Sequence, residues 1–277
     1  MRFNREPNYS LLGVIGDVHG TKDWTVLAID EYAKIGVTHI LQLGDFGVGS
    51  NPRNLDFMES VNDRLKRHSM VMIITLGNHE DYDLLETMLQ TSKYDSNFLQ
   101  LPEYDHLFFA ARGQHWNWDG IEYCSLGGAN SINKNSLKPH INWWPQESIT
   151  LSDLYRINEG GSADIMLTHD CPEGVPILGA LDSSDSNSRW PLRALEYAQE
   201  SRRNLRVAVD TVKPELLLHG HYHVNADFTV ELTDLRNQEA YSVRSVGLHM
   251  QNHVGNLRLL KPQTKEIEVF NPWPRDN

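Results

Sequence analysis

Five apolar segments of this chain each end in a polar cluster, and this pattern limits the possible folds more than any other feature. The segments are continuous apolar runs, which is typical of strands buried on both faces of a sheet. The clusters combine glycine, which lets the backbone turn sharply, with aspartate, asparagine and histidine. They are Gly16–Gly20, Gly44–Asp45, Gly77–Glu80, Thr168–Asp170 and Gly220–His223. Because ligands bind at the carboxyl edge of open α/β sheets, we expect all five clusters at one such edge.

The N-terminal part of the chain has the pattern of βαβ units. Short apolar segments alternate with segments whose apolar residues recur at helical spacing. The predicted strands are Leu11–Gly16, Thr38–Leu43 and Met70–Leu76. The predicted helices are Trp24–Ile35, Leu55–Arg67 and Asp81–Leu89. This pattern predicts a sheet with both faces covered.

The rest of the chain is mainly strands, with helices expected at Leu151–Asn158 and Leu192–Val212. Four predicted strands come first: Leu107–Ala111, Ile121–Leu126, Ala163–Leu167 and Glu215–Leu218. Four more, expected to be antiparallel, are Phe228–Leu232, Tyr241–Val246, Leu257–Leu260 and Ile267–Phe270. No linker separates the two parts. We therefore expect residues 1–277 to form one α/β domain, a sandwich of two sheets flanked by helices.

Composition narrows the class of partner. Lys and Arg number 25 and Asp and Glu 37, which gives a net charge of −12. Duplex-DNA binders carry a basic face, whereas the longest basic cluster here is Arg202–Arg203, so a long nucleic acid is disfavoured as a partner.

The longest apolar runs have six to eight residues, far below the roughly 20 that span a bilayer. Cys124 and Cys171 form no CxxC pair. We expect a cytoplasmic protein with no membrane association.

The five clusters also have the composition of a metal site. Asp, His and Asn suit divalent Mn, Fe, Zn, Ni or Co, and the clusters lack the cysteines of structural zinc sites. They hold more candidate ligands than one ion needs, which favours two ions that share a carboxylate. Two ions about 3.5–4 Å apart clamp a phosphoryl group and lower the pKa of a bridging water. A helix cap or a turn explains any one cluster alone, but five clusters in this order favour the metal site.

The motif order resembles that of the calcineurin-like metallophosphoesterases. The shared series is Asp-x-His, Gly-Asp, Gly-Asn-His-Glu, His and Gly-His-x-His, and it runs from Asp17 to His223. The resemblance implies a four-layer αββα sandwich and a dinuclear centre, with Mn as the preferred ion. It implies three ligands for the first ion: Asp17, His19 and His223. It implies three for the second ion, Asn78, His169 and His221, and a bridging role for Asp45.

The same resemblance implies that His79 is a catalytic residue and not a ligand. It would face the substrate, either as the general acid for the leaving group or as a stabiliser of developing charge. Glu80, Asp81 and Asp170 lie beside ligand positions in the sequence. Two interpretations of these three acids stay open: they orient ligands, or they cap helices and face solvent.

Two departures narrow the substrate class. Serine/threonine protein phosphatases of this superfamily carry Gly-Asp-x-Val-Asp-Arg-Gly at the second motif, but here Val48 and Gly49 replace its second Asp and its Arg. The Gly-His-x-His ending is more similar to class III cyclic nucleotide phosphodiesterases. The resemblance therefore favours a small phosphoester or nucleotide substrate, with hydrolysis of phosphodiesters by in-line attack of a metal-bridging hydroxide. The alternatives are a phosphomonoesterase acting on nucleotides or phosphoproteins, a nuclease, and a scaffold without turnover.

A second block resembles a smaller set of bacterial and phage metallophosphoesterases. It comprises Gly127–Asn133 and Trp143–Glu147, but Asn133 and Leu137 replace that set's usual Asp and Arg. Lys134 and Lys138 are candidates to replace the missing charge, although solvated loop lysines are the preferred interpretation. For Trp143 and Trp144, packing is preferred over stacking on a nucleobase.

The other candidates have structural or minor expected roles. We expect the long segments 127–148 and 171–191 to be functional loops, with Arg189 and Arg193 as candidate phosphate contacts. Trp116 and Trp118 are expected on a structural hairpin. His249 and His253 follow the motif series and are not expected to be ligands.

Overall fold

Two mixed β-sheets form the centre of the protein. The computed structural model describes residues 7–91, 98–177 and 190–273. The strands, in chain order, are β1 Leu12–Ile15, β2 His39–Gln42, β3 Val71–Thr75, β4 Leu99–Gln100, β5 Leu107–Ala110, β6 Gln114–Trp118, β7 Ile121–Leu126, β8 Ile165–Thr168, β9 Leu216–His219, β10 Ala226–Thr233, β11 Ala240–Gly247, β12 Leu257–Lys261 and β13 Glu266–Val269. The first sheet has the order β13-β12-β1-β2-β3-β5-β4, and the second β10-β11-β9-β8-β7-β6.

Helices cover the outer face of each sheet. They are α1 Lys22–Lys34, α2 Pro52–His68, α3 Tyr82–Thr91, α4 Leu151–Gly160 and α5 Leu192–Val212. Asn51 accepts a hydrogen bond from the backbone of Asn54 and so caps α2, and Thr150 and Asp153 form a capping box at α4. Such caps explain why predicted and observed ends differ by up to a few residues: apolar spacing does not reveal a polar first turn. The bounds of β7 and α5 match the prediction.

Three apolar clusters separate four layers, which confirms the predicted αββα sandwich. The first lies between α1–α3 and the outer face of the first sheet, with Ile15, Ile29 and Phe57. The second lies between the sheets, where Val14 and Leu41 of one sheet and Leu167 and Leu218 of the other belong to one cluster. The third packs the second sheet against α4 and α5. Alternate side chains of each strand therefore enter different clusters, as in sheets buried on both faces.

The C-terminal strands were predicted only in part. The pairs β10–β11 and β12–β13 are antiparallel hairpins, as expected. However, β11 is parallel to β9, and β12 pairs with β1 in the other sheet. The reason is that the segment between β11 and β12 crosses from one sheet to the other, which no local pattern reveals. The predicted hairpin of Trp116 and Trp118 is formed by β6 and β7.

No helix within the described ranges is both long enough and apolar enough to traverse a bilayer.

Candidate metal centre

The five polar clusters meet at the carboxyl ends of β1, β2 and β3 in the first sheet and of β8 and β9 in the second. These strands run parallel within each sheet, so their ends share one edge. The edge holds two groups of side chains whose candidate ligand atoms lie within 4.8 Å of one another. The first group is Asp17, His19 and His223, and the second is Asp45, His169 and His221. The structure thus brings together residues that are up to about 200 positions apart in the chain.

The first group is built around the buried carboxylate of Asp17. Its Oδ2 lies 3.0 Å from Nε2 of His223, and its Oδ1 accepts the backbone N–H of His221 at 3.1 Å. Nδ1 of His19 lies 3.1 Å from Oε1 of Gln251. Because that oxygen only accepts, Nδ1 carries the hydrogen and Nε2 of His19 is turned toward the site. Gln251 gave no signal in the sequence.

The second group is centred on His169, which is fully buried. Its Nδ1 lies 2.7 Å from the carbonyl oxygen of Leu43, which can only accept, so Nδ1 carries a hydrogen. Its Nε2 faces two oxygens, Oδ1 of Asn78 at 2.9 Å and Oδ1 of Asp45 at 3.3 Å. The other oxygen of Asp45 lies 3.5 Å from Nε2 of His19. Asp45 therefore stands between the groups with one oxygen facing each.

These donor atoms fit a divalent cation. Carboxylate oxygens, an amide oxygen and imidazole nitrogens converge in a buried space, and none of the oxygens can donate a hydrogen to the others. Burial alone would lower the pKa of His169, but Asp45 and then Asp17 raise it to about 10. Burial alone would raise the pKa of Asp45, but His169 and His79 hold it well below its usual range. The carboxylates of Asp45 and Asp17 thus stabilise a positive charge at the His169 ring. A bound metal ion would supply that charge in place of the proton.

His221 has the opposite electrostatic environment. Burial, followed by the charge of His169, holds the pKa of His221 well below its usual range. Its imidazole is therefore neutral, which is the form that binds a metal. The ring centroids of His221 and His169 lie 5.0 Å apart.

The backbone at the site is unusual. Four of the non-glycine residues with positive φ are candidate ligands: His19, Asp45, His221 and His223, with φ of 46°, 51°, 68° and 54°. Such conformations are sparsely populated and cost free energy unless the surroundings impose them. Two glycines let the backbone pass close to ligand side chains, because they have no Cβ atom. A Cβ atom at Gly44 would lie 2.3 Å from Nδ1 of His169, and one at Gly220 would lie 2.2 Å from Oδ1 of Asp17.

His79 lies at the mouth of the site. Its backbone N–H donates to Oδ1 of Asp45 at 2.9 Å, while its ring is exposed, with a centroid 6.2 Å from that of His19. The ring belongs to neither ligand group. This placement agrees with the predicted role facing the substrate.

The three neighbouring acids differ in role. Glu80 is fully buried, and its carboxylate accepts the backbone N–H groups of Phe46, Gly47 and Val48 at 2.8–3.1 Å, so it fixes the segment after Asp45. Asp170 is also buried and accepts from the hydroxyl of Tyr222 at 2.7 Å. For these two acids the interpretation as exposed caps is wrong. Asp81 instead accepts from the backbone of Leu84 and so caps α3.

The segment from Gly127 to Ser148 packs against the protein. Trp143 and Trp144 are 8% and 5% exposed, and Nε1 of Trp144 donates to Asp83 at 3.0 Å, so packing is confirmed for both rings. Lys134, which the sequence analysis interprets as a solvated loop lysine, is partly exposed. Its Nζ lies 4.4 Å from the ring centroid of Trp143 and 4.2 Å from that of Tyr197, a cation–π arrangement that fixes the ammonium group. Lys138 is exposed.

The remaining candidates lie away from the ligand groups or outside the described ranges. The rings of His249 and His253 stack on each other with centroids 4.0 Å apart, and neither belongs to a ligand group. Arg193 is exposed in the first turn of α5. Arg189, and with it most of the predicted loop 171–191, lies outside the described residues.

Comparisons with solved structures agree with the fold. No curated protein sequence matches this chain. The protein TT1561 of Thermus thermophilus is 12% identical, with a TM-score of 0.53 over 95% of this chain and 98% of that one. A dimetal phosphatase from Danio rerio is also 12% identical, with a TM-score of 0.52 over 92% of this chain and 93% of its own. At such identity these likenesses concern the fold alone.

The match of the sequence to a family model assigns the chain to a protein family. Residues 11–225, more than three quarters of the chain, match the calcineurin-like phosphoesterases as a family. This range includes all the candidate ligands and His79. The chain therefore belongs to the calcineurin-like phosphoesterase family, a family of hydrolases.

Proposed function

We propose that the protein is a two-metal phosphoesterase that hydrolyses small phosphodiesters, with nucleoside cyclic phosphates as the preferred class. The observation that carries the proposal is the position of Asp45, whose two carboxylate oxygens face different histidines, His19 at 3.5 Å and His169 at 3.3 Å. A carboxylate so placed suits a bridge between two ions. The proposed ligands of the first ion are Asp17, His19 and His223, and those of the second are Asn78, His169 and His221. We propose Mn²⁺, which suits oxygen and imidazole donors.

When bound, two divalent ions would supply Lewis acidity to the phosphoryl group and a nucleophilic water of lowered pKa. The protein's own groups hold the reacting atoms. Asp45 fixes the distance between the two ligand groups, and the backbone N–H of His79 fixes Asp45 in turn. The exposed ring of His79 gives a proton to the departing alkoxide as the P–O bond opposite the nucleophile breaks. The leaving group thus departs as a neutral alcohol.

The preference for small diesters rests on two features. Val48 stands where the protein phosphatases carry an acidic residue, and it is 1% exposed within the outer apolar cluster, so it offers no partner for a catalytic histidine. The net charge of −12 opposes tracking along a polyanion. The Gly-His-x-His sequence at Gly220–His223 adds the resemblance to cyclic nucleotide phosphodiesterases.

The first test compares hydrolysis of bis-p-nitrophenyl phosphate and p-nitrophenyl phosphate by one Mn²⁺-loaded preparation. We expect a diester preference, and we expect Asp45→Asn to lose both bound metal and rate, because an amide is a poor bridging ligand. Metal content and kcat are measured on the same samples. A monoester preference would make the protein a phosphomonoesterase with the same centre. A wild type that binds no metal and has no activity would favour a scaffold.

A second test separates the role of His79 from metal binding. His79→Ala is expected to retain both ions and to lose rate by about 10²–10⁴-fold, as for loss of a general acid. The loss should be greater for alkyl esters than for p-nitrophenyl esters, because alkoxides depend more on protonation. Rates across a series of leaving groups measure this. An equal loss for every leaving group would remove the general-acid assignment.

A further inference from the structure

A chain of buried hydrogen bonds leads from Asn78 away from the metal centre. Nδ2 of Asn78 donates to Oγ of Ser131 at 2.9 Å. Ser131 donates its hydroxyl to Oε2 of Glu147 and its backbone N–H to Oε1 at 2.9 Å. These three residues are 2%, 2% and 0% exposed. A carboxylate buried beside a candidate ligand is costly unless its hydrogen bonds are satisfied, so its position calls for an explanation.

The direction of these hydrogen bonds decides which way the Asn78 amide faces. A carboxylate only accepts, so the hydroxyl hydrogen of Ser131 points to Glu147 and its lone pairs point to Asn78. The lone pairs require the NH₂ group of Asn78 on that side. The amide oxygen is thereby directed to the opposite side, where it lies 2.9 Å from Nε2 of His169. A flipped amide would place its oxygen against the Ser131 lone pairs and its NH₂ group against the metal ligands.

Glu147 is held from several sides. The hydroxyl of Tyr197, on α5, donates to Oε1 of Glu147 at 3.0 Å. The guanidinium of Arg112 donates to the backbone oxygens of Glu147 and Ser148 at 3.0 and 2.9 Å. The same guanidinium donates to the hydroxyl of Tyr82, at the start of α3, at 2.6 Å. Glu147 is therefore linked to α5 through its carboxylate and to α3 through its backbone oxygen and Arg112, so its position does not depend on the 127–148 segment alone.

We propose that Ser131 and Glu147 are positioning residues that fix the Asn78 amide with its oxygen toward the second ion, and so set the affinity of that ion. The inference rests on the proposed two-metal function. Neither residue touches the substrate, and both act through Asn78. Loss of such an outer partner weakens metal binding by about 10–100-fold in other metal sites.

The test is a Mn²⁺ titration followed by electron paramagnetic resonance, which distinguishes a single ion from a coupled pair. Ser131→Ala is expected to bind the first ion like the wild type and the second about 10–100-fold more weakly. Its kcat should return toward the wild-type value at high Mn²⁺, as the second position fills. Glu147→Gln, which keeps the shape but presents an NH₂ group to Ser131, should also weaken the second ion.

Two control variants make the result specific. Ser125→Ala removes an equally buried hydroxyl, which lies 3.1 Å from Oγ1 of Thr75 and, within the described residues, is hydrogen-bonded to no proposed ligand, and it should leave both affinities unchanged. Gln251→Ala removes the partner of His19 and should weaken the first ion instead. If Ser131→Ala binds both ions with wild-type affinity, the positioning role is overturned. If the wild type itself binds no pair of ions, the proposed function fails and not this inference alone.

Discussion

Gly44 affects the site because it has no side chain. Gly44 precedes the proposed bridging residue, and its φ is +94°. The space where its side chain would be is taken by the ring of His169, as the 2.3 Å distance from an added Cβ to Nδ1 shows. A methyl group there would push the ring away from Asp45. The position thus matters for metal binding although glycine supplies no ligand atom.

We therefore expect Gly44→Ala to lose the second ion and the activity. Gly120→Ala is the matched control, because Gly120 also has a positive φ, +82°, but no atom lies within 4 Å of its added Cβ. Both variants bear a backbone cost of roughly 1–2 kcal/mol for alanine in a left-handed conformation. Only Gly44→Ala should lose metal, measured as Mn²⁺ content of the folded protein. Equal metal content in both variants would contradict the steric role of Gly44.

The sequence pointed to the proposed ligands but not to the residues that hydrogen-bond to them. Each of the seven proposed ligands follows an apolar strand, so both type and position pointed to it. Gln251 lies far along the chain from His19 in a segment with no motif, and only the tertiary fold brings the two together. Ser131 and Glu147 belong to a recognised block, but their hydrogen-bond partners depend on how that block packs. A hydrogen bond between two polar side chains far apart in the sequence produces no periodic pattern of residue types, so it cannot be predicted from such a pattern.

At the scale of elements, α1 and α2 are joined by an ion-pair cluster on the outer face of the first sheet. Asp30 of α1 accepts from Arg64 and lies 2.7 Å from Nε2 of His68, both on α2. Burial alone would raise the pKa of Asp30, but hydrogen bonds and charges of Arg64 and His68 lower it. The helices themselves were predictable from apolar spacing. This link between them was not, because it depends on the helix crossing.

The lowered pKa of Asp30 makes its contribution depend on pH. Its stabilisation is fully present above the unfolded-state value, 3.8, and is lost as pH falls through the lower folded-state value. Asp30→Asn should reduce the free energy of unfolding by about 0.5–1 kcal/mol at pH 7, and by less as pH falls from 4 to 3. Urea unfolding across this range measures it. Asp56→Asn breaks a more exposed pair with Lys22, 60% and 42% exposed, and should change little. A deficit of Asp30→Asn that stays constant down to pH 3 would contradict this account.

At the scale of the molecule, the proposed metal centre spans the two sheets at one edge. Its proposed ligands come from the ends of β1, β2 and β3 on one side and of β8 and β9 on the other. In the metal-free protein, the protonated ring of His169 faces Asp45, and a bound cation would supply positive charge in its place. Binding energy at the centre is therefore also folding energy.

Removal of bound divalent ions by a chelator should thus lower Tm. Ions present at 100 times Kd add about 2.7 kcal/mol, which corresponds to several degrees for a domain of this size. Calorimetric scans with and without EDTA, followed by readdition of Mn²⁺, measure the shift. Asp45→Asn should show a much smaller shift, because its ions are already weakly bound. A wild-type Tm indifferent to both additions would contradict the coupling.

The pairing of β1 with β12 sets an order of events during translation. Leu12 pairs with Leu260, so a neighbour of the first strand is made about 250 residues after it. The turn before β12 carries Asn256, whose side chain donates to the backbone oxygen of Asp17 at 2.9 Å, and Gln251, the partner of His19. A nascent chain that has left the ribosome as far as His223 contains every proposed ligand but lacks the turn and strand that hold the first ones in place. An unfinished chain therefore has no complete centre to load with metal.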